Sequence, residues 1–165
     1  MKHLDYTIGW ICAVLIEYVV ACELLDEEHP SLPNISSHDN NTYTLGRIGD
    51  HNIVIASLPK GKYGTTSAAN VAKDMLRSFE SIRIVLMVGI GGGAPSDRHD
   101  IRLGDVVVSS PTGRTGGVVQ YMFGKTIQNR KFEYMGLLNS PPTAILTALT
   151  KINAHHKRKG HRISE

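Results

Sequence analysis

The chain has no cysteine pair at metal-ligand spacing. Its two cysteines, Cys12 and Cys22, both sit inside apolar segments, so reduced, buried thiols are expected. Its eight histidines form no spaced metal set either, and neither a metal nor any other cofactor is expected. No apolar run reaches the roughly 20 residues that cross a bilayer. The nearest imitation is Ile8 to Cys22, where Val19-Val20-Ala21-Cys22 resembles a lipoprotein cleavage box; Glu17 in the middle of that run argues against export, and a cytoplasmic location is expected. Internal repeats and low-complexity segments are also missing. Two phosphate-binding signatures fail as well. Lys60-Gly61-Lys62-Tyr63-Gly64-Thr65-Thr66 lacks the glycine-lysine-serine ending of a Walker loop, and Gly89-Ile90-Gly91-Gly92-Gly93 leads to Pro95 and a charged loop instead of the apolar helix of a dinucleotide fold.

What is present suits one globular domain or part of one: 165 residues, 41% of them hydrophobic and 20% charged. The net charge of +3 owes much to the stretch from His155 to Arg162. That stretch reads as a solvated, frayed end, so neither nucleic acid nor membrane is expected as a partner.

Tyr6 to Ala13 reads as a buried strand, followed by a helix over Val14 to Glu28 with Leu15, Tyr18, Val19, Cys22 and Leu25 at helical spacing. Thr42 to Ile48 and Asn52 to Leu58 flank Gly49-Asp50-His51, a hairpin signal. Gly64 and the hydroxyls of Thr65, Thr66 and Ser67 precede a helix over Ala68 to Phe79. A strand over Ile82 to Val88 then runs into the glycine cluster, and Leu103 to Ser109 reads as another strand. Val118 to Phe123 has strand composition, and Pro141 to Lys157 reads as a helix opened by Ser140 and proline. Alternating strands and helices with an early hairpin imply an α/β fold with a mixed sheet and helices on both faces. Such sheets bind ligands at the carboxyl ends of their strands, where Glu17, the Pro59 to Ser67 loop and the Gly89 to Pro95 loop fall.

Glu17 is the sharpest single residue. A lone acid in a nearly all-apolar turn is either paired, facing a cavity as a general acid or base, or turned to solvent from an exposed helix edge. Asp105, after Gly104, reads as a residue satisfying backbone donors, and Arg98, His99, Asp100 and Arg102 as one solvated loop.

Four segments in order, Thr7-Ile8-Gly9-Trp10-Ile11-Cys12-Ala13 with Glu17, Tyr63-Gly64-Thr65-Thr66-Ser67-Ala68-Ala69, Met87 to Pro95, and Leu103-Gly104-Asp105-Val106-Val107-Val108-Ser109, resemble the purine and uridine phosphorylase superfamily. With Gly117 to Tyr121 and Phe123-Gly124-Lys125, the chain is similar to the fungal branch, in which this domain precedes nucleotide-binding and repeat domains. The resemblance covers a nucleoside phosphorylase-like domain over 5–156, leaving 157–165 as a basic tail. It implies a three-layer α/β/α fold around a central mixed sheet. It also implies cleavage of a purine nucleoside N-glycosidic bond, with phosphate or water as co-substrate, and leaves a homo-oligomer open. Glu17 matches the acid that positions and activates water in the nucleosidases. Gly89, Ile90, Gly91 and Gly92 match the loop whose backbone approaches ribose and the nucleophile.

The chain also departs from the family pattern. Met87 and Ile90 stand where phosphorylases carry an arginine and a serine, and neither holds phosphate. No methionine-glutamate pair follows Gly136 and no aspartate follows Asp105, so the groups that read the ribose hydroxyls and protonate the purine are absent, as in a C-terminally truncated domain. Losing leaving-group protonation removes a contribution of typically 10² to 10⁴. Weak or no turnover is therefore expected, and a non-catalytic nucleoside-sensing or protein-interaction domain is the alternative.

Overall fold

The computed structural model describes residues 1–33, 37–97, 99–113, 115–119, 124–127, 131–134 and 139–160. They fall into two compact units, Met1–Gly93 and Ala94–Glu165.

The first unit is built on a five-stranded mixed sheet. Its strands are β1 (Ile8–Cys12), β2 (Glu27–His29), β3 (Tyr43–Ile48), β4 (His51–Ser57) and β5 (Ile84–Met87), in the order β2-β3-β4-β1-β5. β1 lies at the centre of three parallel strands, with Trp10 opposite Ile55 on β4 and opposite Leu86 on β5. β3 runs antiparallel to β4 and to β2. The hairpin between β3 and β4 turns on Gly49 and Asp50, with Gly49 at φ 56°, a backbone conformation that side chains beyond glycine rarely take.

Alternation along β4 divides the core into two layers. Ile53 and Ile55 face helix α1 (Leu15–Glu23) together with Cys12 and Ala21. Val54 and Ala56 face helix α2 (Thr65–Ser78) together with Ile11, Val71, Met75 and Phe79. Helix, sheet and helix thus stack as the α/β/α sandwich that the alternation of elements implies. Gly9 lets α2 approach, since a Cβ there would stand 2.5 Å from the Met75 sulfur.

Several boundaries differ from expectation. α1 stops at Glu23, and Glu27–His29 form the edge strand β2 in place of the last helical turn. The reason is tertiary: the Asp26 amide donates to the Arg47 carbonyl at 2.8 Å, and His29 is buried with its Nδ1 hydrogen-bonded to the Tyr6 hydroxyl at 2.9 Å. Leu15 and Val19, placed by spacing on the core side of α1, are exposed. Those two face outward with Ile16 and Val20, because Tyr18, Ala21 and Cys22 take the sheet side.

The second unit holds an antiparallel pair, β6 (Gly124–Ile127) and β7 (Lys131–Tyr134), and helix α3 (Thr143–Lys159). α3 begins two residues later than its proline signal suggests, with Pro142 as N-cap, and closes on Gly160 at φ 79°, whose amide donates to the His156 carbonyl at 2.8 Å. The basic residues from His155 to Lys159 are therefore its last turns, not a frayed end. Leu103 to Ser109 does not form a strand: Val106, Val107 and Val108 are exposed and pair with no strand of the described residues. An apolar β-branched run becomes a strand only when a neighbour satisfies its ladder. Of the expected strand over 118–123, residues 120–123 lie outside the described residues.

Candidate active site at the carboxyl end of β1

Three parallel strands end at one edge of the sheet. There the Leu58 amide donates to the Cys12 carbonyl at 2.9 Å and the Val88 amide to the Ile11 carbonyl at 3.1 Å, carrying both ladders one residue past the strands. α1 starts directly beyond β1, with Val14 as an N-cap that has no side-chain oxygen to offer. Glu17, the third helical residue, takes over that duty from inside the helix. Its Oε2 accepts from the amides of Ala13 at 2.7 Å and Val14 at 3.1 Å.

Its other oxygen reaches the loop after β5. Oε1 accepts from the Ile90 amide at 2.8 Å, joining two segments 73 residues apart in sequence. Gly89 makes that approach physically open. A Cβ on Gly89 would lie 2.5 Å from Oε1 and 2.9 Å from Cδ of Glu17, inside van der Waals contact. The carboxylate thus rests on bare backbone, at the carboxyl end of the sheet where open α/β folds place ligands.

Burial pushes the Glu17 carboxyl upward, but the amides of Ile90, Ala13 and Val14 outweigh it and hold the group below the ordinary glutamate value. The positive end of the α1 dipole acts in the same direction. Glu17 is therefore an ionised carboxylate at neutral pH. The neighbouring thiol behaves in the opposite way: burial first, then the charge of Glu17, pushes Cys12 up to about 11, so it is no nucleophile.

Of the residues singled out in the sequence, the structure brings together Glu17, Gly89 and the backbone of Ile90. The Ile90 side chain points away and is 77% exposed. Gly91 and Gly92 continue the same loop without meeting anything: a Cβ on either would find no atom within 4 Å. Met87 and Val88 are exposed beside them, so the rim of this loop is apolar. The sequence reading missed the amides of Ala13 and Val14, although a glutamate at the third helical position is a recognised signal for them. Asp105 accepts from the Arg102 amide at 2.8 Å and Arg102 pairs with Asp100, so these residues close a local turn in the second unit. Arg98 lies outside the described residues. Among the described residues no group of three or more histidine, cysteine, aspartate or glutamate side chains could hold a metal ion, and no helix is long and apolar enough to cross a membrane.

A mixed α/β sheet between helices is the fold expected of a nucleoside phosphorylase-like domain. The family model of the phosphorylase superfamily matches residues 7–163, and the chain belongs to that superfamily. Over 150 residues, 91% of its length, the chain is 49% identical to a nucleotide-binding leucine-rich repeat (NLR)-like protein of Hyaloscypha variabilis. The chain spans only 15% of that protein's length. No solved structure matches the chain.

Proposed function

We propose that the first unit binds a purine nucleoside with its ribose over Gly89 and Glu17, and that the nucleophile the site accommodates for cleaving the N-glycosidic bond is water. The observation that carries this reading is the Glu17 carboxylate, held ionised by the Ile90, Ala13 and Val14 amides on the glycine floor. Glycosidic cleavage develops positive charge on the ribose, and a fixed negative charge beneath it stabilises that state. A carboxyl held below its ordinary pKa is a weak base, so Glu17 serves chiefly as an electrostatic partner that orients water, and less as a proton acceptor. Phosphate fits poorly: the same negative charge repels it, and Met87 and Ile90 supply no cation or hydroxyl.

The three amides on Glu17 also favour a second reading, binding without turnover. Both carboxylate oxygens already have donors, and the ionised group cannot protonate the leaving base. Chromatographic assay of inosine, adenosine and methylthioadenosine, with and without phosphate, separates these outcomes. Slow base release that is indifferent to phosphate and lost in Glu17→Gln supports hydrolysis. Saturable binding with no base released supports the sensing domain, and release that requires phosphate refutes the choice of water.

A further inference from the structure

Charge is divided unequally along the chain. Met1–Gly93 carries seven lysine and arginine residues against ten aspartate and glutamate, whereas Ala94–Glu165 carries eleven against five. Such an asymmetry between two halves points to a polyanionic partner for the basic one.

Within the second unit, α3 gathers part of that excess on one side. Lys151, His155 and Arg158 follow one another at i, i+4 and i+7, with Lys159 beside them, and all four are exposed. The stripe runs for about 12 Å, at 1.5 Å per residue. α3 contains no aspartate or glutamate, and Lys151, Arg158 and Lys159 form no ion pair among the described residues. The helix dipole accounts for cations in the last turn only, and Lys151 lies two turns earlier.

The composition of α3 selects among anionic partners. Ile152 is its only exposed large apolar side chain, and Ile145, Leu149 and His156 on the neighbouring side are half-buried, so α3 offers no apolar face to lay into a bilayer. It carries no Phe, Tyr or Trp on which an unpaired base could stack. An extended acidic peptide turns a carboxylate to one face only every ~6.6 Å, about two along the stripe. A nucleic-acid duplex presents a phosphate about every 1.7 Å of its axis, enough to meet all three permanent cations in any register.

We propose that this face of α3 binds the phosphate backbone of a nucleic-acid duplex without sequence preference, with Lys151, Arg158 and Lys159 each neutralising one phosphate. Fluorescence anisotropy of a labelled DNA duplex of about 20 base pairs, titrated with the full chain at about pH 8, where an ordinary histidine is neutral, tests this. Saturable binding is expected at roughly 50 mM salt, with a slope of log affinity against log salt of about −2.7, a loss of about 40-fold by roughly 200 mM. Lys151→Ala, a change to a better helix former at an exposed position, should reduce that slope by about 1. Arg158→Glu, at the other end of the stripe, should weaken binding further by reversing a charge. No binding at the lower salt, or binding that either substitution leaves unchanged, overturns the proposal. So does tighter binding, at equal salt, to phosphatidylserine vesicles or to polyglutamate than to the duplex.

Discussion

Replacing Gly89 with alanine perturbs the Glu17 site at its tightest point. The new methyl would stand 2.5 Å from Oε1 and 2.9 Å from Cδ of Glu17. Gly89 is not among the glycines with positive φ, so its backbone suits alanine and the conflict is confined to the carboxylate. Glu17 must swing aside and give up the Ile90 amide. A hydrogen bond to a charged group contributes about 1.5–3 kcal/mol, less at a half-exposed site. The lower unfolded-state entropy of alanine returns about 0.4–1 kcal/mol. These terms largely cancel, so stability should change by about 1 kcal/mol or less and the melting temperature is a poor readout. The carboxyl pKa is the sensitive one. Burial raises it and Ile90 is the strongest of the amides that lower it, so G89A should move Glu17 upward towards the ordinary glutamate value. A carbon-detected NMR titration of the Glu17 carboxyl measures this directly. Gly92→Ala is the control, because a Cβ there meets nothing within 4 Å. Equal Glu17 pKa values in wild type and G89A would refute the reasoning.

Other substitutions test other layers of the structure. Because the folded pKa of Glu17 is depressed, its contribution to stability is present above the ordinary carboxylate range and is lost as pH falls through the lowered value; acid unfolding of Glu17→Gln should show a shallower loss over that window. Gly9→Ala should destabilise by about 1–3 kcal/mol through overpacking against Met75, and Met75→Ala by about 2–5 kcal/mol, with the double variant milder than their sum in urea melts because they share one space. Tyr6→Phe leaves buried His29, whose Nε2 has no partner among the described residues, without its Nδ1 bond as well, and should cost about 1–3 kcal/mol by the same measurement. In the native chain at pH 8, a thiol reagent should modify half-buried Cys22 well before Cys12, whose thiol sits at about 11; equal rates would contradict the burial of Cys12.

The first unit was legible wherever periodicity and breakers agree. β1, β3, β4 and β5 follow their apolar patterns, α1 and α2 form where those patterns place helices, and Gly49 marks the hairpin. β2 was not legible, because Glu27-Glu28-His29 has no apolar alternation and exists as a strand through its pairing with Leu45, Gly46 and Arg47. The opposite failure occurs at Val106 to Val108, where strong strand composition meets no partner strand among the described residues. Composition states a preference, and a neighbouring strand decides it. Outward Leu15 and Val19 show the same limit on α1, since apolar residues all round a helix leave its buried side undecided. At the site, Glu17 and Gly89 could be singled out as an odd acid and a necessary glycine. Their contact could not, because it joins two chain segments through a single amide.

The most direct test of the Glu17 and Gly89 site is a nitrogen–proton NMR titration of the chain with a purine nucleoside. The amides of Ala13, Val14 and Ile90 should shift together and saturate, and should stay still in Glu17→Gln under the same conditions. Unmoved Ala13, Val14 and Ile90 resonances in a folded wild-type chain at saturating nucleoside would contradict a nucleoside site on this carboxylate.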